Sequence, residues 1–288
     1  MTFKSVLIAI LITAIGFVGG QALNTPQEAP QLKEETVFER VMRTKTLRCG
    51  YVTDQLFFRK DPNTGAFSGI FYDITLKIAE ALRVKVEWTQ EASYATYNED
   101  LVSNRYDAFC SGVWPLALRA ALETYTTPVL YSGVGVWVRE DDQRVTKIDQ
   151  INNENVKIAV IDGEMAGLIA YESFPKAQTM SLPNSTDRAS MILNVTTGKA
   201  DVVLIDTITA LEFMGHNPGK IRNLIPDDPI RLFPSVYGFK FGETGMQMAF
   251  NTAIQDYLDN KVIEGIIRKH EKYPNSIFRV ARPFEPTR

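Results

Sequence analysis

The sequence predicts an α/β protein with two lobes, each a mainly parallel sheet flanked by helices. The first observation is a pair of similar joints between a helix and a strand, at residues 101–109 and 193–205. In each joint a residue suited to a left-handed helix cap, Asn104 or Gly198, precedes an acidic residue and an apolar strand. The second observation is a strand, a glycine and a helix start in succession over residues 156–171. Alternating strands and helices favour parallel sheets, and the repeated joint indicates two lobes of similar build.

The remaining elements are predicted in chain order from their periodicity and turn residues. The predicted strands are residues 46–52, 84–88, 107–110, 131–138, 156–161, 202–205 and 236–241. The predicted helices are residues 34–43, 69–82 and 165–171, with two more helical stretches within 245–270. Residues 61–65 carry the proline and glycine of a tight turn, and residues 226–229 mark a loop.

The composition is that of a soluble globular protein, with 45% hydrophobic and 23% charged residues. The length of 288 residues allows one large domain or two of ordinary size. The formal net charge of -3, with scattered Lys and Arg, argues against a nucleic-acid partner. Two histidines and two cysteines argue against a zinc site built by the protein. We therefore predict neither a metal nor a cofactor.

Residues 1–22 have the layout of a secretory signal. Lys4 precedes an apolar run at residues 6–18, and small residues end the segment at Ala22. We predict export to the periplasm with cleavage after Ala22. The alternative is an uncleaved anchor in the inner membrane, although the run is short for a membrane span of about 20 residues. Residues 23–45 are predicted to form a linker and a short helix.

Arg119 follows the strand at residues 107–110, beyond a break at Ser111 and Gly112. Ligands in open α/β sheets bind beyond the carboxyl ends of strands, and a guanidinium offers a fork of donors to a carboxylate. The position therefore predicts a site for a small anion. The alternative is a surface ion pair between Arg119 and Glu123. A second candidate anion site is the helix start at Glu164 and Met165, where free N–H groups and the helix dipole favour negative charge.

The order of these features resembles the bacterial extracellular solute-binding proteins of family 3, the polar amino acid receptors of ABC importers. The resemblance spans residue 47 to about residue 273. It is carried by residues 47–52, 69–79, 110–120, 200–206 and 236–238. It implies a two-lobed periplasmic-binding-protein (type II) clamp whose chain crosses between the lobes twice, near residues 133–139 and 234–240. Residues 46–135 and 237–288 would form lobe 1, and residues 136–236 lobe 2.

The resemblance also implies roles for individual residues. Arg119 would hold the α-carboxylate of the ligand, Asp206 its ammonium group, and an aromatic near Phe57 would stack over its side chain. The predicted ligand-binding residues are Phe57, Phe71, Ser111, Gly112, Trp114, Arg119, Glu164, Met165, Asp206 and Tyr237.

Several positions depart from the family pattern. Leu116 stands where the family has a threonine, Trp114 is unusually large for its loop, and Glu164 with Met165 replaces a threonine or serine at a helix start. These departures count against a standard amino-acid ligand, and the aromatic residues favour a ligand with an apolar or planar part. Glu164 has an equally weighted alternative, in which it only complements the helix dipole.

Cys49 and Cys110 fall on strands that the resemblance makes neighbours. An oxidising compartment allows a disulfide between them. Because the geometry between paired strands is restrictive, we expect two buried free thiols instead.

The leading prediction for function is a monomeric, non-enzymatic binding protein that delivers a small polar, amino-acid-like solute to an ABC-importer permease. One alternative is a dehydratase-like enzyme on the same scaffold, since the related family includes dehydratases. Glu123, Glu164 or Asp206 would then act as a general acid. The other alternative is a membrane-anchored sensory or accessory binding module, which requires that residues 1–22 are retained.

Overall fold

The computed structural model describes residues 34–54, 57–274 and 276–281. Within them the α-helices are α1 (Val37–Thr44), α2 (Ile70–Leu82), α3 (Tyr97–Val102), α4 (Met165–Ser173), α5 (Arg188–Thr196), α6 (Thr207–His216), α7 (Thr244–Asp259) and α8 (Val262–His270). The strands are β1 (Thr46–Tyr51), β2 (Arg59–Lys60), β3 (Phe67–Ser68), β4 (Lys85–Glu91), β5 (Ala108–Val113), β6 (Glu123–Tyr125), β7 (Leu130–Arg139), β8 (Lys157–Ile161), β9 (Gln178–Leu182), β10 (Val202–Asp206), β11 (Ile221–Asn223), β12 (Arg231–Lys240) and β13 (Ile277–Phe278).

The predicted signal segment, residues 1–22, and the predicted linker before residue 34 lie outside the described residues. Among the residues that are described, no helix combines the length and the apolar character needed to cross a membrane.

The main sheet has two parallel parts joined by two antiparallel strands. Strands β4, β1 and β5 pair in parallel, and so do β10, β8 and β9. Between these parts lie β12 and β7, which pair antiparallel with each other and with their outer neighbours β5 and β10. Strands β2 and β3 form a separate hairpin around the predicted turn. Each parallel part is flanked by helices, which confirms the predicted two-lobed α/β fold.

The chain crosses between the lobes along β7 and β12. Residues 231–235 of β12 pair with β7, whereas residues 238–240 pair with β6 in the first lobe. Residues 134–138 of β7 pair with β10 in the second lobe. The two crossings predicted near residues 133–139 and 234–240 therefore fall on these strands. The exact lobe boundaries at residues 135 and 237 stay a prediction.

Separate hydrophobic cores support the two lobes. In the first lobe, α2, α7 and α8 pack on β1 and β5 around residues such as Ile74 and Phe250. In the second lobe, successive residues of β10 enter different cores: Val202 and Leu204 join one cluster, and Val203 and Ile205 join another. Side chains alternate across a strand, so both faces of this sheet are buried. This is the pattern of a parallel sheet covered by helices on both sides.

Caps form at the start of α1 and at the two helix–strand joints. Helix α1 begins at a reciprocal pair in which Thr36 and Glu39 bond to each other's backbone N–H groups. The two joints named above turn through left-handed residues, with φ of 56° at Asn104 and 72° at Gly198. The similarity of the two joints is thus confirmed.

The structure corrects the expectation of two free thiols. Cys49 on β1 and Cys110 on β5 form a disulfide, with their Cα atoms 5.7 Å apart. Cys49 lies opposite Ala108 in the register of these adjacent parallel strands, so Cys110 is its diagonal neighbour. A Cα separation of this size falls within the usual disulfide range of about 4.4–6.8 Å. Residues that are diagonal neighbours on paired strands can therefore meet the distance requirement of a disulfide.

Candidate functional site

A cleft lies beyond the carboxyl ends of the strands, with about 530 Å³ of empty space that is partly open to solvent. The charged side chains that line it are Asp54, Arg119, Glu164, Arg188 and Asp206. The aromatic side chains that line it are Phe57, Tyr94 and Trp114. They come from segments that follow β1, β4 and β5 in one lobe and from the ends of β8, β10 and α5 in the other. Size and position both suit a small molecule held between the lobes.

Arg119 is buried in this cleft, with an exposed fraction of 9%. A short 3₁₀ turn, Ala117–Arg119, positions it after β5. One of its Nη atoms donates to the Tyr94 carbonyl oxygen at 3.3 Å, and its guanidinium lies 5.0 Å from the centre of the Tyr97 ring. The alternative, an ion pair with Glu123, required Arg119 to be a surface residue. Its burial rules this out. Its other N–H groups are available for a bidentate contact with a carboxylate.

Glu123 lies behind Arg119 rather than beside it in solvent. It is 3% exposed and accepts a hydrogen bond from the Tyr97 hydroxyl at 2.9 Å. Burial raises the pKa of the Glu123 carboxyl, and the hydroxyls of Tyr97 and Tyr125 and the charge of Arg119 offset this only in part. Glu123 does not line the cleft. It lies behind the cleft, where it accepts the hydrogen bond of Tyr97.

Asp206 ends β10 and caps the start of α6. Its Oδ1 accepts a hydrogen bond from the Thr209 N–H at 2.9 Å, and its Oδ2 accepts one from the Thr209 hydroxyl at 2.9 Å. Oδ2 also faces Nη1 of Arg188 at 3.4 Å. A carboxylate oxygen has two acceptor positions, so Oδ1 keeps capacity for a further donor. The side chain is fixed by its own helix and turned towards the cleft.

Arg188 is a site residue that the sequence did not predict. It lies between the carboxylates of Glu164 and Asp206. Its Nε donates to Oε2 of Glu164 at 3.2 Å, and its guanidinium lies 4.7 Å from the centre of the Tyr94 ring. Burial opposes the charge, but the nearby carboxylates of Glu164 and Asp206 outweigh burial and raise the pKa of Arg188. Arg188 stands at the start of α5, in a polar stretch that is typical of a loop. This position is only a weak indication of a binding residue.

Glu164 and Met165 both line the cleft. Glu164 precedes α4, yet its side chain makes no capping hydrogen bond to that helix. It accepts the hydrogen bond from Arg188 instead. This arrangement places the Glu164 carboxylate among the charges of the site and not only at a helix dipole.

Aromatic rings form part of the cleft wall. Trp114 is stacked on Phe233 with ring centres 4.5 Å apart and planes 8° from parallel. Phe57 presents the other aromatic wall and meets Phe71 edge to face at 5.8 Å. One face of the Trp114 ring is thus covered by Phe233.

Phe71, Ser111 and Tyr237 lie behind the wall and do not line the cleft. All three are fully buried. Ser111 Oγ accepts the Val52 N–H at 2.9 Å, and the Tyr237 hydroxyl donates to the Phe71 carbonyl oxygen at 3.4 Å. In this structure they pack behind residues that line the cleft, and their predicted contact with a ligand stays a prediction.

Gly112 lines the cleft and packs against the buried Phe71 ring. Its φ is +79°, and a Cβ at this position would lie 2.5 Å from the Phe71 ring. Only glycine accepts both the left-handed backbone and the close approach of that ring. The predicted break at Ser111 and Gly112 is wrong, because β5 continues through both residues to Val113. Glycine is required at position 112 by its left-handed backbone and by packing, not by the end of a strand.

Comparison with known proteins identifies the family to which this chain belongs. The model of the bacterial extracellular solute-binding proteins, family 3, matches residues 47–272. A probable amino-acid ABC transporter-binding protein of Haemophilus influenzae is 22% identical over 254 residues, which cover 85% of this chain and 90% of the relative. A cyclohexadienyl dehydratase of Pseudomonas aeruginosa is 23% identical over 227 residues, which cover 78% of this chain and 80% of the relative.

Among solved structures, the ancestral amino acid-binding protein AncCDT-1, a precursor of cyclohexadienyl dehydratase, has a TM-score of 0.71 at 21% identity. The alignment covers 82% of this chain and 100% of that one. This likeness establishes the fold. Because the family model covers most of the sequence, including every residue of the cleft, the chain belongs to the bacterial extracellular solute-binding proteins, family 3.

Proposed function

We propose that this chain is a non-enzymatic receptor that captures a small amino-acid-like solute in the periplasm and delivers it to the permease of an ABC importer. The observation that carries the proposal is that Arg119 and Asp206, from different lobes, line the same cleft. A zwitterionic ligand needs one fixed cation and one fixed anion, and these residues supply both charges. A ligand that touches both residues favours the closed form, because only that form offers both contacts.

In this proposal Arg119 binds the α-carboxylate through the N–H groups that Tyr94 leaves available. The ammonium group binds at Asp206, whose Oδ1 keeps acceptor capacity beside the Thr209 N–H. The apolar part of the ligand lies between Phe57 and Trp114. The stacked rings of Trp114 and Phe233 favour a flat or apolar side chain there.

A dehydratase-like activity is the second candidate, since one of the relatives is a cyclohexadienyl dehydratase. Glu164 and Asp206 are carboxyl groups in the cleft that a general-acid mechanism could use. Arg188 faces both of them and opposes this role, because it holds each carboxylate in an ion pair. Glu123, the third general acid suggested by the sequence, is buried but does not line the cleft. A receptor is therefore the better-supported function.

The cellular setting completes the proposal. Residues 1–22 direct export, the mature chain begins at residue 23, and the receptor acts as a monomer. Mass spectrometry of the mature N-terminus and fractionation test this directly. Full-length protein in the inner membrane would instead favour the anchored sensory or accessory module.

The test of function is a thermal-shift screen of the exported chain against amino acids and related organic acids. A ligand at 100 times its Kd stabilises the folded state by about 2.7 kcal/mol, which gives a clear shift. Each hit is then incubated with the protein and analysed for chemical change. Binding without turnover supports the receptor. Turnover of the bound compound would replace it with the enzyme, and a screen with no hits among amino-acid-like compounds would contradict the ligand class.

A further inference from the structure

We propose that Arg188 fills a cation-binding slot of the cleft with the chain's own guanidinium, so that the receptor excludes ligands with a cationic side chain. The inference rests on the proposed function for its meaning, because it specifies which amino-acid-like ligands the cleft accepts. The slot is formed by Glu164 and Asp206 and by the face of the Tyr94 ring.

The surroundings of Arg188 are those that a protein offers to a bound guanidinium. Two carboxylates face its N–H groups, and an aromatic ring lies 4.7 Å from its centre. Cation–π contact and carboxylate pairing together are the usual means of recognising such a group. The occupant is a side chain from the start of α5 rather than a ligand.

The two ion contacts of Arg188 are long for charge-assisted hydrogen bonds. They measure 3.2 Å to Glu164 and 3.4 Å to Asp206, whereas about 2.7–2.9 Å is usual. The guanidinium is therefore placed between the two carboxylates and is not locked to one of them. Its side chain is 23% exposed, so the slot adjoins solvent. A small cation from solution can reach this slot when the Arg188 side chain is shortened.

The charges of the cleft give the slot its selectivity. Two guanidinium groups and three carboxylates line the cleft, a formal net charge of -1. A neutral zwitterion leaves this balance unchanged. A ligand that placed an additional cation in the slot would bring it beside Arg188, where like charges repel in a partly desolvated site. Without Arg188 the same carboxylates would attract that cation.

The slot also spans the cleft. Asp206 ends β10 and Glu164 lies beyond the end of β8, whereas Tyr94 follows β4 in the other lobe. Arg188 therefore contacts both sides of the cleft at the place where a ligand cation would do so. A ligand with a cationic side chain competes with a tethered group that is always present.

The test uses the full exported chain and measures binding by isothermal titration calorimetry. The parent is titrated with L-arginine and with L-citrulline, its uncharged near-isostere. We expect L-citrulline to bind at least about tenfold more tightly than L-arginine, a difference readily resolved as a ratio of Kd values. This comparison needs no variant, so a folding defect cannot obscure it.

The second arm uses Arg188→Met with methylguanidinium as the probe. The variant opens the slot, and we expect its affinity for methylguanidinium and for L-arginine to rise at least about tenfold over the parent. Arg188→Lys keeps a cation in place and should show no such gain. Arg231→Met is the matched control, since Arg231 is paired with Glu172 outside the cleft. Circular dichroism confirms that each variant is folded.

The outcomes separate this inference from the proposed function. The inference about the slot is wrong if the parent binds L-arginine as tightly as L-citrulline. It is also wrong if folded Arg188→Met binds methylguanidinium no more tightly than the parent does. Neither result contradicts the proposed receptor function. If the parent binds no amino acid, the proposed function fails. The methylguanidinium arm still decides on the slot in that case.

Discussion

At the scale of single residues, the site depends on side chains that lie behind the cleft as much as on those that line it. Phe71, Ser111 and Tyr237 are predicted from the resemblance to contact a ligand, and the structure shows them buried behind residues that line the cleft. The sequence identifies such positions by type and order. It does not reveal which of two adjacent buried aromatic rings reaches the cleft, because that depends on packing between distant segments.

Gly112 provides a stability test of this support. Gly112→Ala should lower the free energy of unfolding by at least about 2 kcal/mol, because it combines a left-handed backbone with overpacking against Phe71. Chemical denaturation of the parent and variant measures the effect. Gly265→Ala in α8 is the control, since an added Cβ meets nothing there within 4 Å. A Gly112→Ala protein as stable as the parent would contradict the close packing of Gly112 and Phe71.

Glu123 provides a pH test at the same scale. Burial raises its folded pKa above the ordinary value of 4.5, so the folded state binds this proton more tightly than the unfolded chain does. The contribution of Glu123 to stability is therefore present at low pH and lost as the pH rises through the folded pKa. Arg119, Tyr97 and Tyr125 are the titratable groups that face it.

Replacement of Glu123 by Gln should remove this pH-dependent loss. We expect the unfolding free energy of Glu123→Gln, relative to the parent, to increase as the pH rises above 4.5 towards the raised folded pKa of Glu123. Denaturant titrations at several pH values measure the difference. Glu99→Gln, at an exposed position, serves as the control. If the relative stability of Glu123→Gln does not change with pH, the carboxyl is not protonated preferentially in the folded state.

At the scale of elements, the predicted strands and helices that are most regular in sequence are those found in the structure. The helix at residues 69–82 and the strand at residues 156–161 are α2 and β8 to within one residue. Short edge elements were missed, including β6 and β9, because a few residues with mixed polarity carry little periodic signal. The side chain of Arg188 was missed for a related reason. Its role arises from Tyr94 and Glu164, which are distant in sequence.

The disulfide between β1 and β5 is the clearest correction at this scale, and it gives a third prediction. The bonded cysteines are 61 residues apart. In the chain-entropy treatment, closing a loop of this length stabilises the folded state by about 4 kcal/mol. The Cys49→Ala, Cys110→Ala double variant should lose stability on this scale when compared with the oxidised parent in denaturant.

A thiol assay on the exported parent gives an independent check of the disulfide. We expect no reactive thiol in denaturant without reductant, and two after reduction. Two reactive thiols before reduction would restore the expectation from the sequence, that both cysteines are free.

At the scale of the whole molecule, the clamp follows from how β7 and β12 are shared. Each strand pairs partly within one lobe and partly with the other strand, so the lobes are connected by continuous backbone. Both crossings predicted from the resemblance fall on these two strands. The resemblance predicted only part of the charge pattern in the cleft. It implied one guanidinium group, that of Arg119, whereas the cleft also contains that of Arg188.

The measurement that tests the central claim most directly is the affinity of clamp variants for the ligand found in the screen. Calorimetry compares the parent with Arg119→Ala, Arg119→Lys and Asp206→Asn, and with Arg231→Ala as a control outside the cleft. Removing one partner of a desolvated pair costs about 2–5 kcal/mol, so Arg119→Ala should weaken binding by about 30-fold to several thousand-fold. Arg119→Lys should also bind poorly, because an ammonium lacks the planar fork of donors.

Asp206→Asn tests the other end of the clamp. Asparagine can still cap α6, so folding should be preserved, while the charge that attracts an ammonium is removed. We therefore expect weaker binding for ligands with an ammonium group and little change for ligands without one. If folded Arg119→Ala and Asp206→Asn both bind the ligand with the affinity of the parent, the ligand does not bridge the lobes through these charges and the account of the receptor is wrong.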